Sequence, residues 1–528
     1  MNVKKKILEE LEKDLGKPCR SRTTYGKEDL ERIKRKVVKE YGASSFPTNT
    51  SLLQEYQKMK GKNKRILSLL RTRPVRSLSG VVNISVLTKP YPCPGRCIYC
   101  PEKENMPKSY LDGEPAAMRA LKNDYHPREQ VQKRIEALKR TGHPTDKIEL
   151  RIVGGTWSFY PEEYKEWFIK ECFDACNEKN SETLKEAQEK NEEASHRIVC
   201  LSIETRPDYI DEREIRNLRR FGVTMVEMGV QSLSNEILSY VKREHGKEET
   251  VRATKLLRDA GFKICYQIMT NLPKSSPEKD LETFRELFDN PSFRPDFLKI
   301  YPCLVIKDTP LHELYKEGRH KIYTDEELTE LLVRIKRDII PRYVRIQRLF
   351  RDIPVPEIEG GCKTSNLREI IKKRAKEEGW RCKCIRCREV KSKYDPEEEL
   401  DLFREDYQAS EGKEVFLTIE NKKRDKLYAL LRMRDPSGHL FSSLKDAGII
   451  REIKTYGEQL PFHSKNESSP QHRGLGKKMI KKAEKITKKE FRKDHLAVIA
   501  GVGVRKYWRE MNYHLKETYM VKDLQKEN

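Results

Sequence analysis

The pattern of apolar and polar positions changes twice along the chain, near residues 76 and 396, and each part has its own texture. In the first part, residues 2–15, 27–41 and 51–60 place apolar side chains at helical spacing and surround them with basic ones. This pattern predicts a small, basic, helical module over residues 1–75.

The second part alternates short apolar runs with amphipathic stretches. The runs are VVNISVLT, IELRIVGG, RIVCLSIETRP, VTMVEMGVQS, KICYQIMTNLP and DFLKIYPCLV, and the amphipathic stretches cover 127–140, 161–176, 211–220 and 248–260. Strands alternating with helices predict repeated β-α units around a parallel sheet, and hence an open or partial (β/α) barrel over residues 76–361. The polar stretch 177–196 is predicted to be a helix-prone insertion on the surface.

The third part follows a basic, cysteine-rich segment, residues 362–395, which reads as a linker. Beyond it, strands are predicted at EVFLTIE, KLYALLRMR, GIIREIKTYG and LAVIAGVG, with helices at 475–490 and 503–511. Residues 396–528 therefore form a separate α/β domain of ordinary size.

Charge and composition narrow the range of partners. The formal net charge is +24, and residues 1–75 alone carry 20 Lys or Arg against 9 Asp or Glu. Such a surface suits a polyanion, either nucleic acid or an anionic membrane, although a solvated lysine-rich surface is the simpler alternative. No apolar run is long enough to span a bilayer, and the first residues lack an apolar signal core, so a cytoplasmic protein is expected.

Thirteen cysteines without a secretion signal favour reduced thiols, some of them bound to metal, over a disulfide framework. Cys93, Cys97 and Cys100 lie within the segment YPCPGRCIYCP. A structural zinc site needs four ligands, and no fourth Cys or His is near. The spacing instead predicts three corners of a 4Fe–4S cluster whose open iron binds S-adenosylmethionine (SAM) and delivers the electron that cleaves it to a radical. Zinc and inert loop cysteines are the alternatives.

Several of the predicted barrel strands end in residues that suit SAM. Gly154 and Gly155 expose backbone that could meet its amino group, or they form only a tight turn. Glu204 could bind the ribose hydroxyls and Arg206 the carboxylate, unless the two form a surface ion pair. Gln231 ends the next strand, and it is assigned, like Glu204, both cofactor-binding and catalytic roles.

A second cofactor site is predicted in QHRGLGKKMI, residues 471–480, which opens a helix. Amides at a helix start can hold a pyrophosphate. The segment resembles the pyrophosphate loop of GNAT acetyltransferases, which bind acetyl-CoA, and a glycine turn before a surface helix is the alternative. The candidate acetyl-CoA contacts in this segment are Gln471, Arg473, Gly474, Leu475, Gly476 and Lys477. Tyr507, on the short closing helix, is a further candidate contact and also a catalytic candidate.

A second group of thiols lies in the linker at Cys382, Cys384 and Cys387, some twenty residues after Cys362. Four thiolates would complete a tetrahedral zinc site that staples the linker between the domains. A histidine or a water competes with Cys362 for the fourth position.

The combined motifs resemble one family over nearly the whole chain from about residue 75. They are CPGRCIYCP, VGGTWSFYPEEY, IETRPDYI, VEMGVQS, NPSFRPDFLKIYPCLVI, RIQRLFRDIPVPEI, NLRE, QHRGLGKKM and GVGVRKYWREMNY. They are similar to the catalytic subunit of Elongator, and the lysine-rich composition is closest to its archaeal, stand-alone members. The resemblance implies a partial radical-SAM barrel joined by a zinc-binding linker to a GNAT-type domain.

The same resemblance implies an acyltransferase that acts on the wobble uridine of tRNA. A SAM-derived radical activates the acetyl group of acetyl-CoA, which joins C5 of uridine and yields 5-carboxymethyluridine. The implied partners are the tRNA anticodon stem-loop and an external electron donor, with no membrane and with homodimerisation open. Two features depart from eukaryotic members, namely the short spacing from Cys93 to Cys97 and the presence of Gln267 and Asn271 where those members have His and Asp.

Two other functions compete. The C-terminal domain could be a protein lysine acetyltransferase with a merely structural iron–sulfur domain, in which case Glu452 or Glu458 would serve as the base. Alternatively, the chain could be a tRNA-binding scaffold without catalysis.

Overall fold

The computed structural model describes residues 2–15, 26–60, 63–364, 366–391, 394–460, 471 and 474–525. The three predicted N-terminal helices are present, as α1 Val3–Leu15, α2 Lys27–Glu40 and α3 Asn49–Lys58, and a fourth that was not predicted, α4 Lys64–Leu70, follows them. They pack around a hydrophobic core of their own, which includes Ile7, Leu30, Leu52 and Ile66. The side chain of Thr48 accepts a hydrogen bond from the amide of Ser51 and so caps the start of α3.

The middle of the chain forms a half-barrel of seven parallel strands in sequential order. Its strands are β1 Val82–Leu87, β2 Lys147–Val153, β3 Arg197–Thr205, β4 Met225–Gln231, β5 Lys263–Thr270, β6 Phe297–Pro302 and β8 Arg345–Arg348, while β7 Val305–Ile306 pairs with β9 Ile358–Gly360. All six predicted strands are present. The seventh, β8, was missed because its sequence RIQR carries two arginines and a glutamine in four residues.

Helices cover the outer face of this sheet. They are α5 Pro115–Leu121, α6 Pro127–Arg140, α7 Glu162–Asn177, α8 Leu184–Asn191, α9 Glu212–Arg220, α10 Asn235–Tyr240, α11 Lys247–Asp259, α12 Pro277–Asp289, α13 Pro310–Lys316, α14 Asp325–Arg334, α15 Leu367–Glu377 and α16 Ile385–Arg388. Each predicted amphipathic stretch is a helix, because its apolar positions face the sheet and its polar positions face solvent.

The C-terminal part contains a second seven-stranded sheet, in the order β10-β11-β12-β13-β14-β16-β15. Its elements are β10 Leu400–Ala409, β11 Gly412–Asn421, β12 Leu427–Asp435, β13 Ala447–Thr455, α17 Leu475–Ile486, β14 His495–Val498, α18 Arg505–Arg509, β15 His514–Lys516 and β16 Tyr519–Asp523. The parallel strands β13 and β14 pair only along Ala447–Ile450 and then separate, which leaves an opening in the sheet.

The barrel and the C-terminal sheet share one continuous hydrophobic core. The stretch 177–196 contributes to their contact, so the expectation of a surface insertion is wrong. Leu184 and Ala187 of α8 are buried, and Glu192 accepts hydrogen bonds from Arg505 and Arg509 of α18. Of its polar residues, Glu192 and Glu193 pair with basic residues of the C-terminal domain.

Among the described residues, no helix combines the length and the apolar character that crossing a membrane requires.

Candidate functional site

The carboxyl ends of the barrel strands surround a cavity of about 370 Å³, here called the upper cavity. It brings together most of the residues predicted to bind the cluster and SAM, namely Cys93, Cys97, Cys100, Gly155, Glu204, Arg206 and Gln231. Ligands of parallel α/β folds bind at this end of the strands, where the loops meet.

The cysteine loop is held against the barrel by backbone and arginine contacts. The amide of Ile98 donates to the carbonyl of Val241, and Arg243 Nη1 lies 3.5 Å from Cys97 Sγ. Gly95 packs directly on Arg206, since a Cβ at this position would lie 2.3 Å from Arg206 Nη1. That nitrogen is buried and has no hydrogen-bond acceptor, so it is available to an anionic ligand of the cavity.

The three thiols fit a cluster better than a single ion. Ligand sulfurs around one zinc ion lie about 4 Å apart, but within the described residues these three do not form a group whose sulfurs are all within 4.8 Å of one another. Burial and the neighbouring Cys97 raise the pKa of Cys100 to about 12. A bound metal would hold this thiol as a thiolate. A cluster of several irons therefore matches both the spacing and the donor type.

Glu204 is the most constrained carboxylate of the upper cavity. Its oxygens accept hydrogen bonds from Tyr110 Oη at 2.9 Å, Gln267 Nε2 at 3.0 Å and Lys299 Nζ at 2.8 Å. Burial opposes ionisation of Glu204, but the Lys299 ammonium outweighs it, so the pKa of Glu204 is lowered. The carboxylate is thus ionised and fixed in place.

The strand ends on either side of Glu204 adopt backbone conformations that expose polar groups. Gly154 has φ +128°, and a Cβ there would meet Thr88 Oγ1 at 2.1 Å, so no other residue fits. Gly154 itself does not line the cavity, whereas Gly155 does. Gln231 has φ +68°, unusual for a residue other than glycine, and its buried Oε1 has no hydrogen-bond donor.

A second cavity, of about 640 Å³ and here called the lower cavity, lies between the amino ends of the barrel strands and the C-terminal sheet. Its lining includes Gln471, Gly474, Leu475, Gly476, Lys477 and Tyr507. Helix α17 begins here without a side-chain cap, so its first amides remain open to an anion. A Cβ at Gly476 would lie 3.4 Å from Tyr507 Oη, and burial raises the pKa of Tyr507 to about 12. Arg473 lies outside the described residues.

Gln471 has a contact pattern that differs from the predicted phosphate role. Its Oε1 accepts from the amide of Leu460, and its Nε2 donates to the carbonyls of Thr455 and Gly80. Because Gly80 precedes the barrel and Thr455 ends β13, this side chain fixes the loop to both domains.

The linker thiols form a compact group. Ligand atoms of Cys382, Cys384 and Cys387 all lie within 4.8 Å of one another, as a single ion requires. Cys362 is not part of this group, and its sulfur lies 4.0 Å from the carbonyl oxygen of Thr364. Lys336 Nζ is 3.8 Å from Cys387 Sγ.

Several residues that contact the predicted cofactor site do not belong to any motif recognisable in the sequence. Lys299, Arg243 and Tyr110 contact the predicted site from three separate segments. Lys299 alone has a usable signal, because a lysine in the buried strand FLKIYP needs a partner.

A group of arginines lies beside the upper cavity. Arg119 lines that cavity, and the pKa of Arg134 is lowered to about 10 by burial and by its neighbours Arg119 and Arg76. Burial, and then the neighbouring Arg73, lower the pKa of Arg76. No ion pair to a described acidic residue is found for these four, which is the electrostatic pattern of a polyanion site.

Comparisons with known proteins agree with this architecture. Family models match residues 2–78 as the ELP3 N-terminal domain, 91–287 as the Radical SAM superfamily and 295–377 as the Radical_SAM C-terminal domain. The barrel with its three-cysteine loop is thus a radical SAM domain, which implies a 4Fe–4S cluster and SAM.

The relatives extend this match to the whole chain. A tRNA uridine(34) acetyltransferase of Methanocaldococcus infernus is 43% identical over 99% of this chain and 100% of its own length. Human Elongator complex protein 3 is 37% identical over 94% of this chain and 93% of its own. The solved structure of the archaeal Methanocaldococcus infernus Elp3 with an N-terminal deletion has a TM-score of 0.75 and 42% identity, covering 85% of this chain and 100% of that chain. The chain belongs to the family of the tRNA uridine(34) acetyltransferases and Elongator complex protein 3, which confirms the resemblance of its motifs.

Proposed function

We propose that this protein is a tRNA carboxymethyluridine synthase that attaches the acetyl carbons of acetyl-CoA to C5 of uridine 34. The observation that carries the proposal is the placement of two cofactor-sized cavities at opposite ends of one barrel. A cluster bound by Cys93, Cys97 and Cys100 supplies the electron that cleaves SAM into methionine and a 5′-deoxyadenosyl radical.

The residues of the upper cavity bind and orient SAM. Arg206 Nη1 has no hydrogen-bond acceptor and only a long ion pair to Glu244, at 4.0 Å, so it meets the carboxylate of SAM. Gln231 Oε1, which has no hydrogen-bond donor, accepts from a donor group of the cofactor. Glu204, held ionised by Lys299, accepts from the ribose hydroxyls. The exposed backbone of Gly155 lies beside the cofactor's amino group.

The open amides of α17 hold the pyrophosphate of acetyl-CoA in the lower cavity, with Lys477 adding charge and Tyr507 closing the site. Hydrogen abstraction from the acetyl methyl forms a C–H bond in 5′-deoxyadenosine and leaves a carbon-centred acetyl radical. That carbon bonds to C5 of uridine. The ring radical left by this addition would pass one electron to an external one-electron carrier and its C5 proton to water. Hydrolysis of the thioester would then complete the product and release CoA.

The arginine group at Arg73, Arg76, Arg119 and Arg134 supports tRNA as the substrate. Arg119 lines the upper cavity, Arg76 and Arg134 are its neighbours, and none of the four has an ion pair to a described acidic residue. RNA loops are recognised through phosphate contacts and splayed bases, so the wobble base can enter the cavity while the phosphates stay on these arginines.

The lysine acetyltransferase alternative is disfavoured by the packing of the lower cavity. The amino ends of the barrel strands line the side on which a lysine would have to enter, for example at Lys263 and Phe297. Neither candidate base is free, because Glu452 accepts from Arg432 Nε at 2.8 Å and Glu458 pairs with Arg71 at 2.7 Å. A lysine acetylator needs an open acceptor channel and an available base.

The proposal also includes an external one-electron donor, because each cleavage of SAM consumes an electron. It includes one zinc ion at the linker thiols, whose compact spacing supports a single ion. Homodimerisation and a cytoplasmic location stay predictions, for which light scattering and cell fractionation are the measurements.

The test is an anaerobic reaction of the cluster-loaded protein with tRNA, SAM, a reductant and acetyl-CoA labelled in its methyl carbon, followed by mass analysis of tRNA nucleosides. Label should appear in a modified uridine, and Cys97→Ala should abolish it. Label that appears without SAM, or that never reaches uridine, would refute the proposed function.

A further inference from the structure

The upper and lower cavities are lined by the same inward faces of the barrel strands. On β2, Glu149 lines the lower cavity and Arg151 the upper one, and on β6 Phe297 and Lys299 are divided in the same way. Two residues of a strand rise about 7 Å. The two cavities are therefore separated by one layer of side chains.

That layer is charged rather than apolar. Arg151 Nε donates to Glu149 Oε1 at 2.9 Å, and Arg151 Nη1 lies 4.0 Å from Glu227 Oε1. Lys299 forms ion pairs with both Glu227 and Glu204. We call Arg151, Glu227 and Lys299 the septum. The interior of a (β/α) barrel is usually filled by branched apolar side chains, and burying charges in their place costs stability.

The septum connects the two predicted cofactor sites. Below it, Glu149 lies 3.9 Å from Lys454 of β13, beside the opening between β13 and β14. Above it, Lys299 holds Glu204, the candidate ribose ligand. The ion pairs thus run through the barrel from the acetyl-CoA side to the SAM side.

The septum can open without leaving any charge unpaired. Lys299 has two carboxylate partners, and Arg151 has Glu149, Glu227 and the amide oxygen of Gln347 at 3.4 Å. Each long side chain can therefore give up one contact and keep another. The free-energy cost of opening stays small only if every charge keeps a partner, because a buried charge left alone is strongly destabilising.

The proposed reaction demands such an opening. Reacting atoms must approach to within about 3.5 Å, yet the two cofactors occupy opposite ends of the barrel. We propose that the acetyl arm of acetyl-CoA enters the barrel from its lower end and crosses the septum to meet the radical in the upper cavity. This inference rests on the proposed function, and it assigns the barrel interior as the route of the thioester.

The test uses bromoacetyl-CoA, a thioester whose carbon alkylates a thiol with loss of bromide while the thiol proton passes to the buffer. Cys200 lines the lower cavity and serves as the native reporter. Gln267→Cys places a second reporter in the upper cavity, on β5 directly opposite the septum residue Lys299. The protein is loaded with its cluster, so that the three ligand cysteines are occupied, and alkylated peptides are mapped by mass spectrometry.

We expect bromoacetyl-CoA to modify both reporters and excess acetyl-CoA to protect both. At position 267, alkylation by bromoacetyl-CoA should be about tenfold faster than alkylation by bromoacetamide, the untethered control, because a bound reagent acts at a high effective concentration. Arg151→Gln, which shortens a septum side chain, should speed alkylation at 267 several-fold and leave Cys200 unchanged.

Three outcomes would overturn the inference in distinguishable ways. Alkylation of Cys200 alone in Gln267→Cys, both with the native septum and with Arg151→Gln added, would show that the arm stops below the septum. Modification of position 267 that acetyl-CoA does not protect would show arrival from outside the barrel. Failure at both thiols would remove the acetyl-CoA site itself.

A separate reaction tests the proposed function independently. With methyl-deuterated acetyl-CoA the native enzyme should place deuterium in 5′-deoxyadenosine. Absence of deuterium refutes the radical step, whereas deuterium transfer together with an unmodified position 267 refutes only the passage.

Discussion

Replacing Asp296 with Asn tests whether the barrel and the C-terminal domain unfold as one unit. Asp296 is fully buried and accepts two hydrogen bonds from Arg451, at 2.6 and 2.9 Å. It belongs to a buried network at the domain contact in which four arginines balance four carboxylates, namely Arg258, Arg432, Arg434, Arg451, Asp259, Asp296, Glu414 and Glu452. Asp296→Asn keeps the shape of the side chain and leaves this network with one uncompensated positive charge.

The magnitude follows from the burial of that charge. Removing one partner of a buried ion pair costs about 3–5 kcal/mol. If all 528 residues unfold together, the entropy of unfolding is roughly 1.1 kcal/mol per degree and the melting temperature falls by about 3–5 °C. If the roughly 130 residues of the C-terminal domain unfold alone, the same cost lowers their transition by about 11–18 °C. The size of the shift therefore reports the size of the cooperative unit.

The assay is differential scanning calorimetry of both proteins. A single transition displaced by a few degrees is the expected result, since the network and the shared core join the two domains. The double variant Asp296→Leu with Arg451→Met should recover part of the loss, because it removes charges of both signs. A shift below about 1 °C would refute the reasoning, as it is what a surface substitution gives.

Three further predictions concern separate parts of the molecule. Burial opposes ionisation of Glu149, but Arg151 and Lys454 outweigh it and lower its pKa to about 2. Glu149→Gln should therefore lower the free energy of unfolding by about 3 kcal/mol at pH 7. In melting curves, the difference in stability between the two proteins should vanish as the pH falls from about 4 towards 2. Arg119→Glu should weaken tRNA binding and reduce the slope of log affinity against log salt by about 1 or more, whereas Lys373→Glu on the exposed face of α15 should not; equal slopes would exclude Arg119 from the interface. Cys384→Ser should lose the zinc measured by elemental analysis, and Cys362→Ser should retain it; loss in both would return Cys362 to the ligand set.

Sequence patterns predicted those parts of the fold that rest on local regularity. The six apolar strands and the cysteine loop were found because burial on both faces and metal binding each impose a fixed spacing. Strand β10 was missed because its sequence LDLFREDYQA carries four charged residues in ten, as suits its alternating exposure at a sheet edge. Contacts such as Lys299 with Glu204 join residues 95 positions apart, and no local pattern encodes them.

A count of basic residues does not distinguish arginines that hold the fold together from arginines that remain available to a polyanion. Arg71, Arg73 and Arg76 are equally basic in the sequence, but Arg71 donates to the carbonyl of Gly142 and pairs with Glu458. It therefore ties the N-terminal module to the barrel and the C-terminal domain, and reversing its charge would damage the fold. Arg73 and Arg76 lack such partners among the described acidic residues, so they are the positions where basic charge remains for a polyanion.

Under the proposed function, the direction in which the two domains face each other accounts for one polypeptide carrying both proposed cofactor sites. An acetyltransferase sheet ordinarily opens its cleft between parallel strands to an acceptor from solvent, whereas here the cleft between β13 and β14 opens onto the lower end of the barrel. A carbon radical is lost where oxygen, thiols or weak C–H donors reach it, so a domain contact that seals this opening would protect the proposed intermediate. The buried network around Asp296 and the bridging contacts of Gln471 hold the seal closed. If the proposed function holds, the domain contact takes part in the chemistry, because the side of the acetyl-CoA site that would face an acceptor lies against the lower end of the barrel.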